Sequence, residues 1–268
     1  MTAIDAVTVG DPGHEREALV HVPVSATGDI TVTSPLVVVF HGFDETPEEM
    51  IERAGWIDKA DEAGFVVVHP RALGTPPQWH LPGDPIDDLG YIDAVIAATA
   101  ARVCVDLNRV FATGFSQGGW MANVVGCAFG DSLAGIAPVS GGYEAGWTTT
   151  CEHGRGLPVV GFHAEADPVV PYAGGPLEIA PDLELIAAEE WAADWAELNT
   201  CASGPTEDLP ADGAVRLSWS GCEAPVEFYR IVDGDHVWPG GSLDASAGPG
   251  SISATEVIWD FFAASPAG

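Results

Sequence analysis

Gly114-Phe115-Ser116-Gln117-Gly118 is the stretch that decides the fold, because it has the G-x-S-x-G pattern of a strand-to-helix turn that exposes a nucleophilic serine. The apolar, β-branched run 109–113 precedes it and predicts a buried strand, and residues 119–127 predict a helix. Glycines suit this tight turn because side chains there would collide with the neighbouring strand and helix. The context predicts a catalytic Ser116. The alternative is a glycine-rich turn whose serine only caps the helix.

Outward from this turn, strand-like and helix-like segments alternate along the chain. Unbroken apolar runs at 36–40 and 65–69 predict central strands. The pattern predicts an α/β fold with a mostly parallel central sheet, helices on both faces and no large lid domain. We expect residues 1–268 to form a single domain. Further expectations are an early edge strand at 18–23, an amphipathic helix from Asp182 to Leu198, a loop-like polar stretch from Ala202 to Gly221, and late strands at 215–219 and 226–231.

The charge balance excludes several classes of partner. With 9 basic and 40 acidic residues the chain has a formal net charge of −31. Such a surface repels nucleic acid and anionic membranes, and no apolar run approaches the roughly 18–20 residues of a membrane span. Residues 1–5 lack the basic-then-apolar pattern of a signal peptide, which leaves either a cytosolic protein or a processed, secreted one.

An activated serine needs a base, and the base needs an orienting carboxylate. His236 follows the predicted strand 228–231 in a Gly-rich loop, which is the right place for the base. Asp167 follows the strand that ends near His163, and the proline after it stiffens the loop that holds the carboxylate. The triad prediction is therefore Ser116, Asp167 and His236. The competitors are Glu165 and Asp235 for the acid, and His153 and His163 for the base.

Two backbone N–H groups are needed to bind the oxyanion that forms during acyl transfer. One is expected from Gln117, directly after the nucleophile, and the other from Phe43, in the loop after the central strand 36–40. His41 lies before the serine, at the end of that strand. We interpret it as a structural residue that braces the loop.

The five cysteines show neither a C-x-x-C motif nor a cysteine and histidine spacing typical of zinc sites. Cys201 and Cys222 flank a polar stretch with glycine and proline, which favours a disulfide between them and an oxidising compartment. At most two of Cys104, Cys127 and Cys151 can pair. Cys104 and Cys127 are both expected at the sheet edge opposite the serine, and buried unpaired thiols are the alternative.

Several blocks together resemble the polyhydroxybutyrate-depolymerase-type esterase family, which includes feruloyl and acetylxylan esterases. The blocks are His41-Gly42-Phe43, Tyr91-Ile92-Asp93, residues 106–119, and Asp235-His236-Val237-Trp238-Pro239-Gly240. The resemblance implies an α/β-hydrolase fold and a secreted enzyme that uses Ser116, Asp167 and His236 without a metal or an organic cofactor. It also supports the Cys201–Cys222 disulfide, because residues 199–201 resemble the family's Asn-Gly-Cys segment.

Departures from the family pattern concern the substrate rather than the catalytic groups. The chain has Asp233-Gly234-Asp235 where the family often has three glycines, and residues 163–167 differ from its common His-Gly-Thr-x-Asp. Aromatic residues in or near loops on the catalytic side are expected to stack on the substrate, with core packing as the alternative; they are Trp79, Phe115, Trp147 and Trp238.

The expected substrate is an ester: a feruloyl or acetyl ester of plant cell-wall polysaccharide, or alternatively a polyester. We expect the protein to act as a monomer. A serine peptidase of the same fold and a catalytically silent binding protein are the interpretations from other classes.

Overall fold

A computed structural model describes residues 4–10, 15–23, 33–80, 83–151, 154–178, 180–245 and 250–265. The strands that it contains are β1 Ile4–Val9, β2 Arg16–His21, β3 Ser34–Phe40, β4 Val66–Pro70, β5 Leu73–Gly74, β6 Pro77–Gln78, β7 Val105–Phe115, β8 Gly135–Val139, β9 Val159–Ala164, β10 Gly175–Leu177, β11 Ala180–Leu185, β12 Ser203–Ala211, β13 Ala214–Ser220 and β14 Val226–Ile231. The α-helices are α1 Pro47–Ala54, α2 Trp56–Ala63, α3 Asp88–Ala100, α4 Gln117–Phe129, α5 Ala188–Leu198 and α6 Ala254–Ala264.

The central sheet has the strand order β1-β2-β4-β3-β7-β8-β9-β14-β13-β12. Strands β4, β3, β7, β8, β9 and β14 run parallel to one another, and the strands outside them on both sides pair antiparallel. The predicted fold class is therefore confirmed. The edge prediction for residues 18–23 was wrong, because β1 pairs outside β2 and takes the edge position.

Helices cover both faces of the sheet, and each face has its own apolar core. Along β3, Val38 contributes to one core and Val37 to the other, because successive side chains of a strand point to opposite faces. Helices α3, α4 and α5 pack on the first face, and α1, α2 and α6 pack on the second. The continuous apolar runs in the sequence reflect burial on both faces.

Two segments differ from the sequence-based expectation. The stretch 202–221 is an antiparallel hairpin formed by β12 and β13: β13 confirms the strand predicted at 215–219, whereas β12 lies where only a loop was expected. The exposed residues of β12 carry no apolar alternation that would have indicated a strand. The expected helix Asp182–Leu198 begins only at Ala188, because the residues before it form β11 and pair with β10.

Two disulfides are present. The predicted Cys201–Cys222 bridge joins the residues after α5 to the loop between β13 and β14. A second bridge joins Cys127 of α4 to Cys151, and Cys104 lies outside both disulfides. The pairing of Cys104 with Cys127 that the sequence suggested does not form, because Cys127 is bonded to Cys151. Within the described ranges, no helix is both long and apolar enough to cross a membrane.

Candidate active site

Ser116 lies at the sharp turn between β7 and α4. Its backbone has a φ of 57° and a ψ of −120°, a left-handed conformation that non-glycine residues rarely adopt. A Cβ on Gly118 would lie 2.2 Å from the main-chain oxygen of Phe40, and one on Gly114 would lie 2.3 Å from the oxygen of Gly118. The glycines therefore allow the turn to pack directly against β3, and this packing presents the serine at the carboxyl end of the sheet.

His236 and Asp167, which the sequence places 69 residues apart, form a hydrogen bond of 2.7 Å between Nδ1 and Oδ2. The other oxygen of Asp167, Oδ1, accepts the N–H groups of Val169 and Val170, each at 2.8 Å. Burial by itself raises the pKa of Asp167, but the hydrogen bond with His236 and the backbone N–H of Val170 hold that pKa below its usual value. An ionised carboxylate thus orients the imidazole.

Phe115, the residue before the serine, contacts the imidazole of His236 at a ring-centroid distance of 4.7 Å. The guanidinium of Arg53 also lies over this phenyl ring, 4.7 Å from its centroid, and pairs with Glu45. The Ser116 hydroxyl itself makes no hydrogen bond to a described residue. Catalytic hydrogen bonds in ligand-free enzymes are often long and shorten when substrate binds.

The competing acids and bases lie elsewhere. Glu165 faces Arg230, with Oε1 3.3 Å from Nε, and not the imidazole. Asp235 accepts the backbone N–H of its neighbour His236. His163 is buried beside Asp167, and its Nε2 is 2.9 Å from the carbonyl oxygen of Val170. Burial lowers the pKa of His163, so the neutral ring donates this bond. His153 lies outside the described residues.

The N–H groups of Phe43 and Gln117 have no acceptor among the described residues. The amides on either side of Phe43 are occupied, because Gly42 donates to Glu45 at 2.9 Å and Asp44 donates to Pro77 at 2.9 Å. Gln117 begins α4, where the helix dipole favours a negative charge. The two predicted oxyanion donors are thus without an acceptor among the described residues.

His41 braces the loop that carries Phe43. The ring is buried, and burial lowers its pKa to about 4, so the imidazole is neutral. Its Nδ1 donates to the carbonyl of Gly42, and its Nε2 accepts the N–H of Ala72 at 3.1 Å. These contacts agree with the structural interpretation of His41 made from the sequence.

A cleft of about 550 Å³ opens in front of Ser116. One wall is apolar and comes from the hairpin β10–β11, with Leu177, Leu183 and Leu185. Trp120 also lines the cleft, one helical turn after the nucleophile. The sequence analysis predicted neither the β10–β11 wall nor the position of Trp120 in the cleft. The spacing of four residues on α4 could have indicated Trp120, because residues four apart share a helix face.

The aromatic predictions need correction. Trp238 is only 1% exposed; it packs against Trp56 and donates its indole N–H to Thr255, so it belongs to the core. Phe115 is also buried and contacts the imidazole of His236, and it is absent from the cleft lining. A loop position had indicated exposure for Trp238, but α2 and α6 cover this loop.

The other two tryptophans have structural partners as well. Trp79 borders the cleft, but it is 3% exposed and donates its indole N–H to the carbonyl of His41. Its backbone makes two hydrogen bonds with the side chain of Gln117. Trp79 therefore links the loop that carries Phe43 to the start of α4. Trp147 lies outside the cleft lining and donates to Asp194. In the described part of the chain, no group of three or more histidine, cysteine or acidic residues is arranged to hold a metal ion.

Comparison with known proteins finds sequence similarity to carboxylesterases. Residues 87–178 match the profile of the phospholipase/carboxylesterase family. Feruloyl esterase C of Emericella nidulans is 31% identical over 179 residues, which cover 66% of this chain and 58% of that protein. Feruloyl esterase B of Piromyces equi is 27% identical over 213 residues, covering 74% of this chain and 38% of that protein. The chain therefore spans less than two thirds of the length of these relatives.

The solved structure of an acetyl xylan esterase from Aspergillus awamori superposes with a TM-score of 0.72 at 14% identity, covering 97% of this chain and 99% of that one. At this identity the likeness concerns the fold. The chain has the α/β-hydrolase fold, with the serine turn, the acid and the histidine at the carboxyl ends of β7, β9 and β14. Its similarity in sequence is to carboxylesterases, and among them to feruloyl esterases.

Proposed function

We propose that this protein is a serine hydrolase of carboxylic esters that works through an acyl-enzyme on Ser116. The observation that carries the proposal is the arrangement at the cleft. The serine is held in a strained turn, the base is locked to a buried carboxylate at 2.7 Å, and two N–H groups are left without acceptors. This is the geometry that acyl transfer requires.

The reaction follows from the hydrogen bonds of His236. Asp167 accepts a hydrogen bond from the N–H group at Nδ1, so the neutral imidazole offers the lone pair of Nε2. Nε2 takes the proton of Ser116 as the oxygen attacks the ester carbonyl, and the imidazolium then protonates the leaving alcohol. Water, activated by the same nitrogen, releases the acid from the acyl-enzyme.

The negative charge of the tetrahedral intermediate is bound by the N–H groups of Phe43 and Gln117. Each donor contributes about 3 kcal/mol to the stability of the transition state. Their rigidity supports this role, because the loop of Phe43 is fixed by hydrogen bonds from both of its neighbouring amides. The donors therefore need little reorganisation when the charge develops.

The proposed substrates are feruloyl or acetyl esters of plant cell-wall polysaccharides. The named feruloyl esterase relatives support this class, and so does the apolar wall of Leu177 and Leu183, which suits an aromatic acyl group. The same wall suits the repeat of a polyester, which is the second candidate. Two disulfides support a secreted enzyme, because such bonds persist in oxidising compartments.

The test is hydrolysis of para-nitrophenyl acetate, methyl ferulate, acetylated xylan and an amorphous polyhydroxybutyrate film by the wild type and by Ser116→Ala. We expect the wild type to release product and Ser116→Ala to lose at least about 10³-fold in kcat/KM. Ser132→Ala is the matched control, because Ser132 is an exposed serine just after α4. A serine-directed organophosphonate should label Ser116 in the wild-type protein.

The panel also separates the competing interpretations. Release from methyl ferulate or acetylated xylan supports cell-wall esters, and release from the film alone supports polyesters. Turnover of a para-nitroanilide at a rate comparable to the matched ester supports a peptidase. Full biological activity of Ser116→Ala, or the absence of any serine-dependent turnover, overturns the esterase proposal.

A further inference from the structure

His80 lies on the wall of the active-site cleft and is held there by a second buried carboxylate. Its backbone N–H donates to Oδ2 of Asp88 at 2.7 Å, and its Nδ1 lies 3.0 Å from the same oxygen. The side chain of Asp88 is fully buried. None of the contacts that fix the proposed triad involves this histidine, so its ordered position needs another explanation.

A network behind His80 fixes the carboxylate. Oδ1 of Asp88 accepts a hydrogen bond from Nη1 of Arg16 at 2.6 Å, and the guanidinium also donates to the carbonyl of Arg71. Its plane lies over the ring of Tyr91, 3.6 Å from the centroid. A buried ion pair adds little net stability, because both charges must leave water. Arg16, one of only 9 basic residues in the chain, therefore holds the carboxylate of Asp88 in place.

The network also determines which nitrogen of His80 carries the proton. An ionised carboxylate only accepts hydrogen bonds, so Nδ1 must donate to Asp88. In the neutral ring, Nε2 is then an acceptor. Nε2 has no partner among the described residues, and it is not one of their buried unpaired polar atoms. It is therefore the accessible nitrogen of a ring that lines the cleft.

We propose that Nε2 of His80 accepts a hydrogen bond from a hydroxyl group of the substrate and so determines specificity for hydroxyl-bearing esters. This inference rests on the proposed ester hydrolysis at Ser116 and adds the polar half of the substrate to it. Asp84 and Glu144 also line the cleft. Acceptors and negative charges in the cleft lining favour neutral hydroxyl donors and disfavour carboxylates. The hydroxyl is a phenol of the acyl group or a sugar hydroxyl of the alcohol.

The test compares each substrate with its O-methyl ether, which cannot donate. One arm uses methyl ferulate against methyl 3,4-dimethoxycinnamate, and the other uses a methyl 5-O-acetyl-arabinofuranoside against its 2,3-di-O-methyl ether. The ratio of kcat/KM within a pair is measured at pH 8 for the wild type, His80→Leu and His80→Gln. Leucine keeps the bulk without an acceptor, whereas glutamine retains an acceptor oxygen.

We expect the wild type to prefer the free hydroxyl in one arm by about 3- to 10-fold, as for a net hydrogen bond. His80→Leu should bring that ratio to about one, and His80→Gln should keep part of it. The arm that responds identifies the acyl or the alcohol side. An unchanged ratio in His80→Leu, or no preference of the wild type in either arm, overturns the inference.

A binding measurement keeps this result separate from the proposed function. Dissociation constants for the same four compounds are determined by NMR titration in Ser116→Ala and in Ser116→Ala/His80→Leu. The ratio of constants should change in the same arm and by a similar factor. If the wild type shows no turnover, the esterase proposal fails while the binding ratio still tests His80. Turnover with an unchanged binding ratio overturns only the role of His80.

Discussion

Asp167→Asn tests the proposed mechanism at the point where the hydrogen bonds are most completely defined. The carboxylate uses Oδ1 for the N–H groups of Val169 and Val170 and Oδ2 for His236. Asparagine has one oxygen and one NH2 group. If the oxygen keeps the two backbone donors, the NH2 group faces Nδ1 of the imidazole. Nδ1 must then accept, and the proton moves to Nε2, where it prevents the base from accepting the serine proton.

The opposite orientation of the amide is unfavourable. It directs NH2 at two backbone donors and leaves the buried N–H of Val170 and the partly buried N–H of Val169 without an acceptor, at about 2–4 kcal/mol together. At the lower limit of this free-energy cost, only about one molecule in thirty has the amide in the opposite orientation. Because that minor orientation keeps the active tautomer of His236, we expect kcat/KM for para-nitrophenyl acetate to fall by about 30- to 10³-fold, with a thermal midpoint close to that of the wild type.

Glu165→Gln is the matched control, because this neighbouring carboxylate pairs with Arg230 and not with the base. Its kcat/KM should stay within about twofold of the wild-type value. Asp167→Ala provides a second comparison, since it also removes the acceptor for the two backbone donors and should lower the midpoint. If Asp167→Asn keeps activity within tenfold of the wild type, Asp167 does not set the tautomer of His236 and the reasoning is refuted.

Three further predictions concern the scaffold. Burial lowers the pKa of His69 to about 3, so the unfolded chain takes up a proton below pH 6.5 while the native ring stays neutral. When the pH is lowered from 7 to 5, the free energy of unfolding of His69→Leu in urea should therefore rise by about 2 kcal/mol relative to that of the wild type. The same pH dependence in both proteins would contradict this. Gly118→Ala places a Cβ 2.2 Å from a main-chain oxygen and should abolish soluble, active protein, whereas Gly154→Ala, with no contact closer than 3.6 Å, should express normally. Cys127→Ser opens a bridge to Cys151 with a separation of 24 residues and should cost about 3 kcal/mol in denaturant unfolding; an unchanged midpoint would show that the bridge does not constrain the chain.

The sequence was most informative where function depends on local geometry. The glycines around Ser116 predicted a turn that only glycine permits, and the contacts of Gly114 and Gly118 supply the reason. The positions of Asp167 and His236 followed from a topological rule, because the carboxyl ends of parallel strands meet at one edge of the sheet. The structure brings these two side chains together, while their catalytic role stays a prediction.

The sequence was least informative about what covers a given side chain. Trp238 stands among glycine and proline, but α2 and α6 pack over it and bury it. The cleft wall from β10 and β11 was not predicted, and the last residues of β11 lay within the helix expected from Asp182. The pairing of these two short strands is decided by register and not by local propensity.

The chain by itself thus determined the fold class, the strained serine turn and the order of acid and base, because periodicity and turn chemistry act over a few residues. Only the tertiary structure decided which aromatic rings reach the cleft, which cysteine joins Cys127, and that Arg16 and Asp88 hold His80 at the cleft wall. Those outcomes depend on residues distant in sequence that meet when the sheet and its helices pack. No local sequence pattern specifies such long-range contacts.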